Sequence, residues 1–299
     1  DDAWWKSINR YVTDHYAKTV ETVDLQRAFE ETTGRSLSWF FDQWIYKAGY
    51  PELKATFEWD EKTRIAGFKL AQIQKVDDQT PLFKLNSKVE FVFADKSSEE
   101  IEIVFKDKEK TFSQKLKEKP LYVRFDKGNS LLKSLEWALP LEMVKAQLAK
   151  DTDVVGKVWA LKHLTKDATK AGIEALIETL KNDEFWGVRA EAANALGDVK
   201  TEAAYEALVA ALDKEKKPRV RARIVQALGQ WREERAAQRL MEQFKKDKHE
   251  FVQANCLSAL GRTKSEKAFD FLRDSLKVKS WRDLIQTHAY TGLRALRNE

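Results

Sequence analysis

Few side chains in this sequence have the types and spacing that catalysis or metal binding needs. The chain has 299 residues, among them four histidines and a single cysteine. The histidines, which supply too few ligands for a Cys/His zinc cluster, are His15, His163, His249 and His288. Cys256 cannot form an internal disulfide and is predicted to be a small buried apolar side chain. We therefore predict no catalytic, metal-binding or cofactor-binding residue in this chain.

One pair of residues, His249 and Glu250, begins the pattern H-E-x-x-H, which places two zinc ligands on one helical face. The second histidine of that pattern would stand at position 253, where this chain has Gln253. The pair is therefore interpreted as part of the start of a helix and not as a metal site.

The densest charge cluster is the run K-E-K-K-P-R-V-R-A-R. Its candidate partner-binding residues are Lys216, Lys217, Arg219, Arg221 and Arg223. Such a cluster can bind an acidic surface or nucleic-acid phosphates, and it would then give salt-sensitive retention on heparin. However, position 253, which lies 32 residues after Arg221, is a glutamine, and the net charge of +5 is spread over the whole chain. We predict no nucleic-acid partner, and the cluster stays a candidate contact for a protein.

The length and composition limit the number of domains and the class of protein. A chain of 299 residues with 43% hydrophobic and 34% charged residues suits two or three globular domains. No apolar run approaches the roughly 20 residues of a membrane helix, and residues 1–20 do not have the pattern of a signal peptide. We predict no membrane partner, and both a cytoplasmic and an exported location stay open.

The hydrophobic period divides the chain into three segments. Residues 1–52 have helical spacing and include an aromatic stripe, Trp39 or Phe40 and Trp44 with Tyr46, which is predicted to be core. Residues 53–138 alternate with a period of two and contain turn motifs but no helical pattern, which predicts a small antiparallel β-sandwich. Residues 139–299 are helical again.

The third segment is repetitive. The run V-R-A-E-A-A-N-A-L-G from Val188 recurs from Val220 and from Val252, each time 32 residues further on. Five helical hairpins stacked into an α-solenoid are predicted, with the repeated glycines Gly197, Gly229 and Gly261 as left-handed caps. An acidic column, formed by Asp151, Asp183, Glu215 and Asp247, precedes the second helices and is predicted to be structural. This segment resembles HEAT-type repeats of about 30 residues.

The first segment resembles the downstream end of the catalytic domain in aminopeptidase N-like zinc metallopeptidases (gluzincins). The match is D-D-A-W-W-K-S-I-N-R-Y-V followed by F-D-Q-W-x-Y-x-x-G-x-P-x-L, whose fixed letters are Phe41, Asp42, Gln43, Trp44, Tyr46, Gly49, Pro51 and Leu53. In that family a small β-sandwich and a helical-repeat domain follow. The resemblance therefore implies three domains, 1–52, 53–138 and 139–299.

The resemblance also implies a function. The parent protein would be a zinc aminopeptidase that hydrolyses N-terminal residues from peptide substrates, and its zinc ligands would lie in an upstream catalytic half. The chain starts at Asp1 without an initiator Met, which favours a C-terminal fragment. Its expected role is to cap the catalytic cleft and limit substrate access without catalysing the reaction itself. Two alternatives stay open: a scaffold or protein-binding module of a peptidase-like protein that has lost its zinc site, and a free-standing adaptor for polyanions.

Overall fold

The structure, a computed structural model, describes residues 2–297, which divide into two compact units. The first unit contains residues up to 89 together with 100–119 and 129–138, and the second contains 90–99, 120–128 and the chain from 139 onward. The predicted order of a helical segment, a strand segment and a helical-hairpin segment is confirmed. The three domain boundaries inferred from the sequence stay a prediction.

The first unit begins with three short helices. These are α1 (Asp2–Asp14), α2 (Thr22–Thr33) and α3 (Ser38–Phe41), the last continued by a π-helical turn over Asp42–Tyr46. Gly34 ends α2 with φ of 66°, a left-handed conformation that glycine adopts without steric cost. Gln43 is buried and exchanges two hydrogen bonds with the backbone of Lys84, which ties this segment to the strand region.

The aromatic stripe of this segment is not core as predicted. Trp39, Phe40 and Tyr46 are exposed, whereas Phe41 is buried. Trp44, the remaining member of the stripe, is half-buried, and its ring centre lies 5.1 Å from that of the buried Phe83, so the apolar face is only partly covered. The sequence pattern alone does not distinguish a covered apolar face from an uncovered one.

Among residues 2–297, seven strands form two sheets. The strands are β1 (Glu52–Asp60), β2 (Ile65–Gln72), β3 (Leu85–Val92), β4 (Ser98–Phe105), β5 (Glu109–Lys115), β6 (Tyr122–Phe125) and β7 (Ser134–Ala138). One sheet has the order β5-β2-β1-β7 and the other β4-β3-β6. Strands β1 and β2 pair in antiparallel register with Phe57 opposite Phe68, whereas β7 pairs with β1 in parallel, so the sheet is not wholly antiparallel as expected. The packing of the sheets as a sandwich stays a prediction.

The second unit contains five helical hairpins, as predicted. They are α4 (Leu141–Lys150) with α5 (Val154–Asp167), α6 (Lys170–Asn182) with α7 (Trp186–Val199), α8 (Glu202–Lys214) with α9 (Pro218–Leu228), α10 (Glu234–Lys246) with α11 (Glu250–Arg262), and α12 (Ala268–Ser275) with α13 (Leu284–Arg297). Thr169 and Thr201 cap α6 and α8 through their side-chain oxygens. None of the described helices has the length and apolar character needed to span a bilayer.

The repeated glycines let neighbouring second helices touch. A Cβ atom on Gly197 would lie 2.9 Å from Cβ of Ala227, and one on Gly229 would lie 2.8 Å from Cβ of Ala259. The prediction that these glycines form left-handed caps is wrong, because Gly197 lies inside α7 and Gly229 has φ of −65°. Their role is close helix–helix approach, which the sequence period could not separate from capping.

The acidic column connects successive hairpins. Each of its last three members accepts from a cation 26 residues earlier in the preceding second helix: Lys157 to Asp183 at 2.5 Å, Arg189 to Glu215 at 2.8 Å and Arg221 to Asp247 at 2.7 Å. The same carboxylates accept a backbone N–H two residues later, at the start of the following helix. The acids thus join two hairpins and cap a helix, and their structural position agrees with the interpretation from the sequence.

The first acid of the column has a partner outside the hairpins. Asp151 pairs with Arg124 of β6, which also donates to Glu90 of β3, and all three side chains are buried. Burial raises the pKa of Asp151. At Glu90 burial also favours a higher pKa, but hydrogen bonds from Lys127 and Arg124 outweigh it and lower the pKa. The column therefore begins at an ion cluster that joins β3 and β6 to the first hairpin.

We expect Gly229→Ala to destabilise the chain by about 2 kcal/mol, because the new methyl group would overlap Ala259 and its carbonyl. The matched control is Gly187→Ala, where the new methyl group would meet only the movable, exposed ring of Phe185. That change should be neutral or stabilising by up to about 1 kcal/mol. Urea unfolding of both variants measures the difference. Equal effects would contradict the close-approach role.

Arg221→Met should cost about 3 kcal/mol at neutral pH, because Asp247, whose side chain is only 2% exposed, would lose its cation. Burial raises the pKa of Asp247, but hydrogen bonds from Arg221, His249 and Gln243 outweigh this and bring it below 3.8. A lowered carboxyl pKa contributes stability above the unfolded pKa, and this contribution is lost as the pH falls through the folded value.

The difference between the parent chain and Arg221→Met should therefore be largest near neutral pH and shrink below about pH 4. Urea unfolding at a series of pH values measures it. The control is Arg273→Met, whose exposed pair with Asp270 should contribute less than about 0.5 kcal/mol. A difference that does not change with pH would exclude the ion pair as its source.

Candidate binding surfaces

The predicted basic cluster does not form one surface. Arg221 is paired with Asp247 and donates to two backbone carbonyls, so its guanidinium is occupied. Lys216 and Lys217 are exposed at the turn before α9. Arg219 and Arg223 are exposed one helical turn apart, with Arg219 above the ring of Trp186 at 5.2 Å. Arg219 and Arg223 therefore line one cleft and are exposed, whereas Arg221 forms a structural ion pair with Asp247.

The residues of the incomplete H-E pattern have local contacts. His249 precedes α11 and accepts the backbone N–H of Phe251 through Nδ1 at 3.3 Å. Glu250 accepts the backbone N–H of Trp281, and Gln253 donates to the carbonyl of Phe244. Among residues 2–297, no group of three or more His, Cys, Asp or Glu side chains could hold a metal ion.

Cys256 lies in the interior of α11. Its side chain is buried, as predicted, and burial raises the pKa of its thiol well above the ordinary value. The neutral thiol is a poor nucleophile, and the side chain therefore acts as a small apolar group in the helix packing.

The second helices form an inner surface of the solenoid. One cleft is lined by residues of α5, α7, α9, α11 and α13 together, which shows that these helices curve around a common space. The sequence repeat predicts that the second helices are neighbours, but the direction of curvature depends on the packing of whole hairpins.

One inner cleft, of about 680 Å³, is lined by charged, amide and apolar side chains and is named here the cationic cleft. Its charged lining residues are Lys162, Lys166, Glu191, Asp198 and Arg262. Three cations and two acids give it a net charge of +1. Its residues come from four repeats and form no local motif, so the cleft could not be predicted from the sequence.

The neighbouring cleft, of about 770 Å³, is named here the aromatic cleft. Phe185 and Phe251 are exposed in it, and Arg219, Arg223 and His288 supply its basic groups. Burial lowers the pKa of His288, whose Nδ1 lies 2.8 Å from Oγ of Ser258. Rings beside arginines can bind both apolar groups and planar polar groups such as peptide bonds.

The third surface is apolar and is formed by side chains of the first helices and of the loops beside them. It is named here the N-terminal apolar face, and its exposed residues are Trp4, Trp5, Val12, Tyr16, Val20, Val23, Trp39, Phe40, Ile45, Tyr46 and Tyr50. Tyr16 is 80% exposed and Trp5 66%. Within residues 2–50 only Ser7, Ala28, Phe41 and Gln43 are buried. Large exposed apolar side chains at this density along residues 2–50 are typical of an interaction site.

Comparison with known proteins agrees with the order of these elements. Over 53 residues the chain is 38% identical to an aminopeptidase A from Gloydius brevicauda, a stretch that covers 18% of this chain and 6% of that protein. The structure of Legionella pneumophila aminopeptidase A in complex with aspartic acid matches 99% of this chain and 45% of its own, with a TM-score of 0.66 and 12% identity. The chain thus spans less than half the length of these relatives. The predicted resemblance to aminopeptidases with HEAT-like repeats is confirmed.

The helical hairpins match a family model directly. Residues 141–225 and 206–294 each match the model for HEAT repeats, and together the matches cover about half of the chain. The five stacked hairpins and the 32-residue spacing of their contacts agree with that match. The chain therefore belongs to the HEAT-repeat family.

Proposed function

We propose that this chain is a non-catalytic region of a zinc metallo-aminopeptidase that removes N-terminal residues from peptides. The observation that carries the proposal is the likeness of fold over 99% of the chain to an aminopeptidase of which it covers only 45%. The 38% identical stretch shared with a second aminopeptidase supports it independently. Catalysis would then belong to the part of the protein that these matches leave out.

The zinc ion that this function needs does not fit the described residues, which contain no suitable group of ligands. The H-E pair lacks its second histidine and is held in local hydrogen bonds. We therefore assign the zinc site to an upstream catalytic half and give this chain no part in activating water.

The N-terminal apolar face supports docking onto that half. Short helices in water derive most of their stability from packing an apolar face, and α1 and α2 bury only Ser7 and Ala28. Aromatic rings such as Trp5 and Tyr46 are the kind of side chain that dominates stable interfaces. The upstream half is the occupant that we propose for this face.

The inner surface of the solenoid supports a role in substrate access. Its two clefts are open to solvent and lined by basic, amide and aromatic groups, which suit peptide chains. We propose that this surface caps the catalytic cleft and limits the length of peptide that can enter. The competing function is a protein-binding scaffold whose upstream half has lost its zinc ligands.

The 299-residue chain should release no amino acid from chromogenic aminoacyl amides, with or without added zinc, beyond a mock preparation. The longer protein from the same gene should release it, and a zinc chelator should stop the reaction. Turnover by the 299-residue chain would contradict its non-catalytic role. An inactive longer protein without H-E-x-x-H upstream would instead identify the scaffold.

The triple change Trp5→Ser, Ile45→Ser and Tyr46→Ser tests the docking face. In the 299-residue chain these side chains are exposed, so the unfolding midpoint should shift by less than about 2 °C. In the longer protein, where we expect them to be buried against the upstream half, the midpoint should fall by at least about 5 °C.

The matched control is Val104→Ser with Leu132→Ser, which are equally exposed apolar positions outside the face. This pair should change the midpoint of neither protein. Equal effects of the triple change in both proteins would show that the upstream half does not cover the face.

A further inference from the structure

Buried cations in the second unit are generally neutralised by carboxylates. Arg124 pairs with Glu90 and Asp151, Arg189 with Glu215, and Arg221 with Asp247. This is the expected arrangement, since a charge removed from water is costly unless an opposite charge and hydrogen bonds replace the solvent.

Arg262, at the end of α11, departs from this arrangement. No carboxylate of the described residues lies within 4.0 Å of its guanidinium. Its Nη2 donates to the backbone carbonyl of Gln226 at 2.7 Å, while its Nε is buried without a hydrogen-bond partner. The side chain is only partly exposed and lines the cationic cleft.

The contact with Gln226 does not by itself require an arginine. A neutral amide donor could satisfy that carbonyl at a lower desolvation cost than a guanidinium. The positive charge of Arg262 is therefore left without a protein partner at the wall of a solvent-accessible cleft. Its Nη groups can donate further hydrogen bonds to a planar or tetrahedral oxyanion, whereas the buried Nε cannot reach one.

Other charged and polar groups line the same cleft. Lys162 and Lys166 on α5 are exposed and line the same space, and Thr165 and Gln230 add neutral hydrogen-bonding groups. The acids Glu191 and Asp198 also line it, and Glu191 accepts from Asn194 at 3.3 Å. The acids would repel an anion near α7, which favours binding at the Arg262 wall.

We propose that the cationic cleft binds a small ligand through an oxyanion group, a carboxylate or a phosphate, held by Arg262. Arg262 does not line the aromatic cleft, although the two clefts share Val158, Glu191 and Gln226, and the proposal does not depend on the peptidase role. Its volume of about 680 Å³ is sufficient for a ligand of metabolite size.

Isothermal titration of the 299-residue chain with pyrophosphate and, separately, with citrate tests the proposal at constant ionic strength set by sodium chloride. We expect saturable one-site binding of at least one probe. Tighter binding of citrate would identify a carboxylate ligand, and tighter binding of pyrophosphate a phosphate ligand.

Arg262→Gln, which keeps a donor for the Gln226 carbonyl, should weaken binding at least about 10-fold, the effect of losing a charge-assisted pair. Arg262→Lys, which keeps the charge and one donor group but not the planar fork, should weaken it about 3-fold and provides the test if Arg262→Gln does not fold. The control Arg273→Gln, an exposed arginine of α12, should bind as the parent chain does. No binding of either probe, or unchanged binding by both cleft variants, would overturn the proposal.

Discussion

Close contact between successive second helices is the constraint on which the rest of the solenoid depends. Gly197 faces Ala227, Gly229 faces Ala259, and a Cβ atom on Gly261 would lie 2.1 Å from the carbonyl of Gly292. No larger side chain fits at these points, so each second helix has one position and one register relative to the next. The 32-residue spacing of the glycines in the sequence is the direct result of that packing.

The same register places the charges. When one second helix is positioned against the next, a basic side chain such as Arg189 reaches the acid that starts the following turn, Glu215. In these pairs the carboxylates of the acidic column and their basic partners make structural contacts between hairpins. The inner surface is thereby left with the basic groups that have no paired acid among the described residues, and the cationic cleft contains three of them, Lys162, Lys166 and Arg262. On the same helices, the residues that form structural ion pairs and the residues that could bind a ligand therefore occupy different positions.

The hairpins and the first helices differ in how many of their apolar side chains are buried. The hairpins bury long columns of leucine and alanine, including Leu208 and Leu240, and are complete as a packed array. The first helices instead expose Trp5 and Tyr16, although they have the same amphipathic pattern. The difference supports an architecture in which the solenoid folds on its own contacts, while the first helices derive their stability from an additional partner.

By itself the sequence determined the three segments, the five hairpins and the structural role of the acidic column, because these follow from period and spacing along the chain. It did not determine that the repeated glycines serve helix contact, that β7 pairs in parallel with β1, or that most of the aromatic stripe is exposed. Only the tertiary structure decided those points and the cationic cleft. Each depends on residues far apart in the chain, and a local pattern shows which face is apolar or charged but not what lies against it.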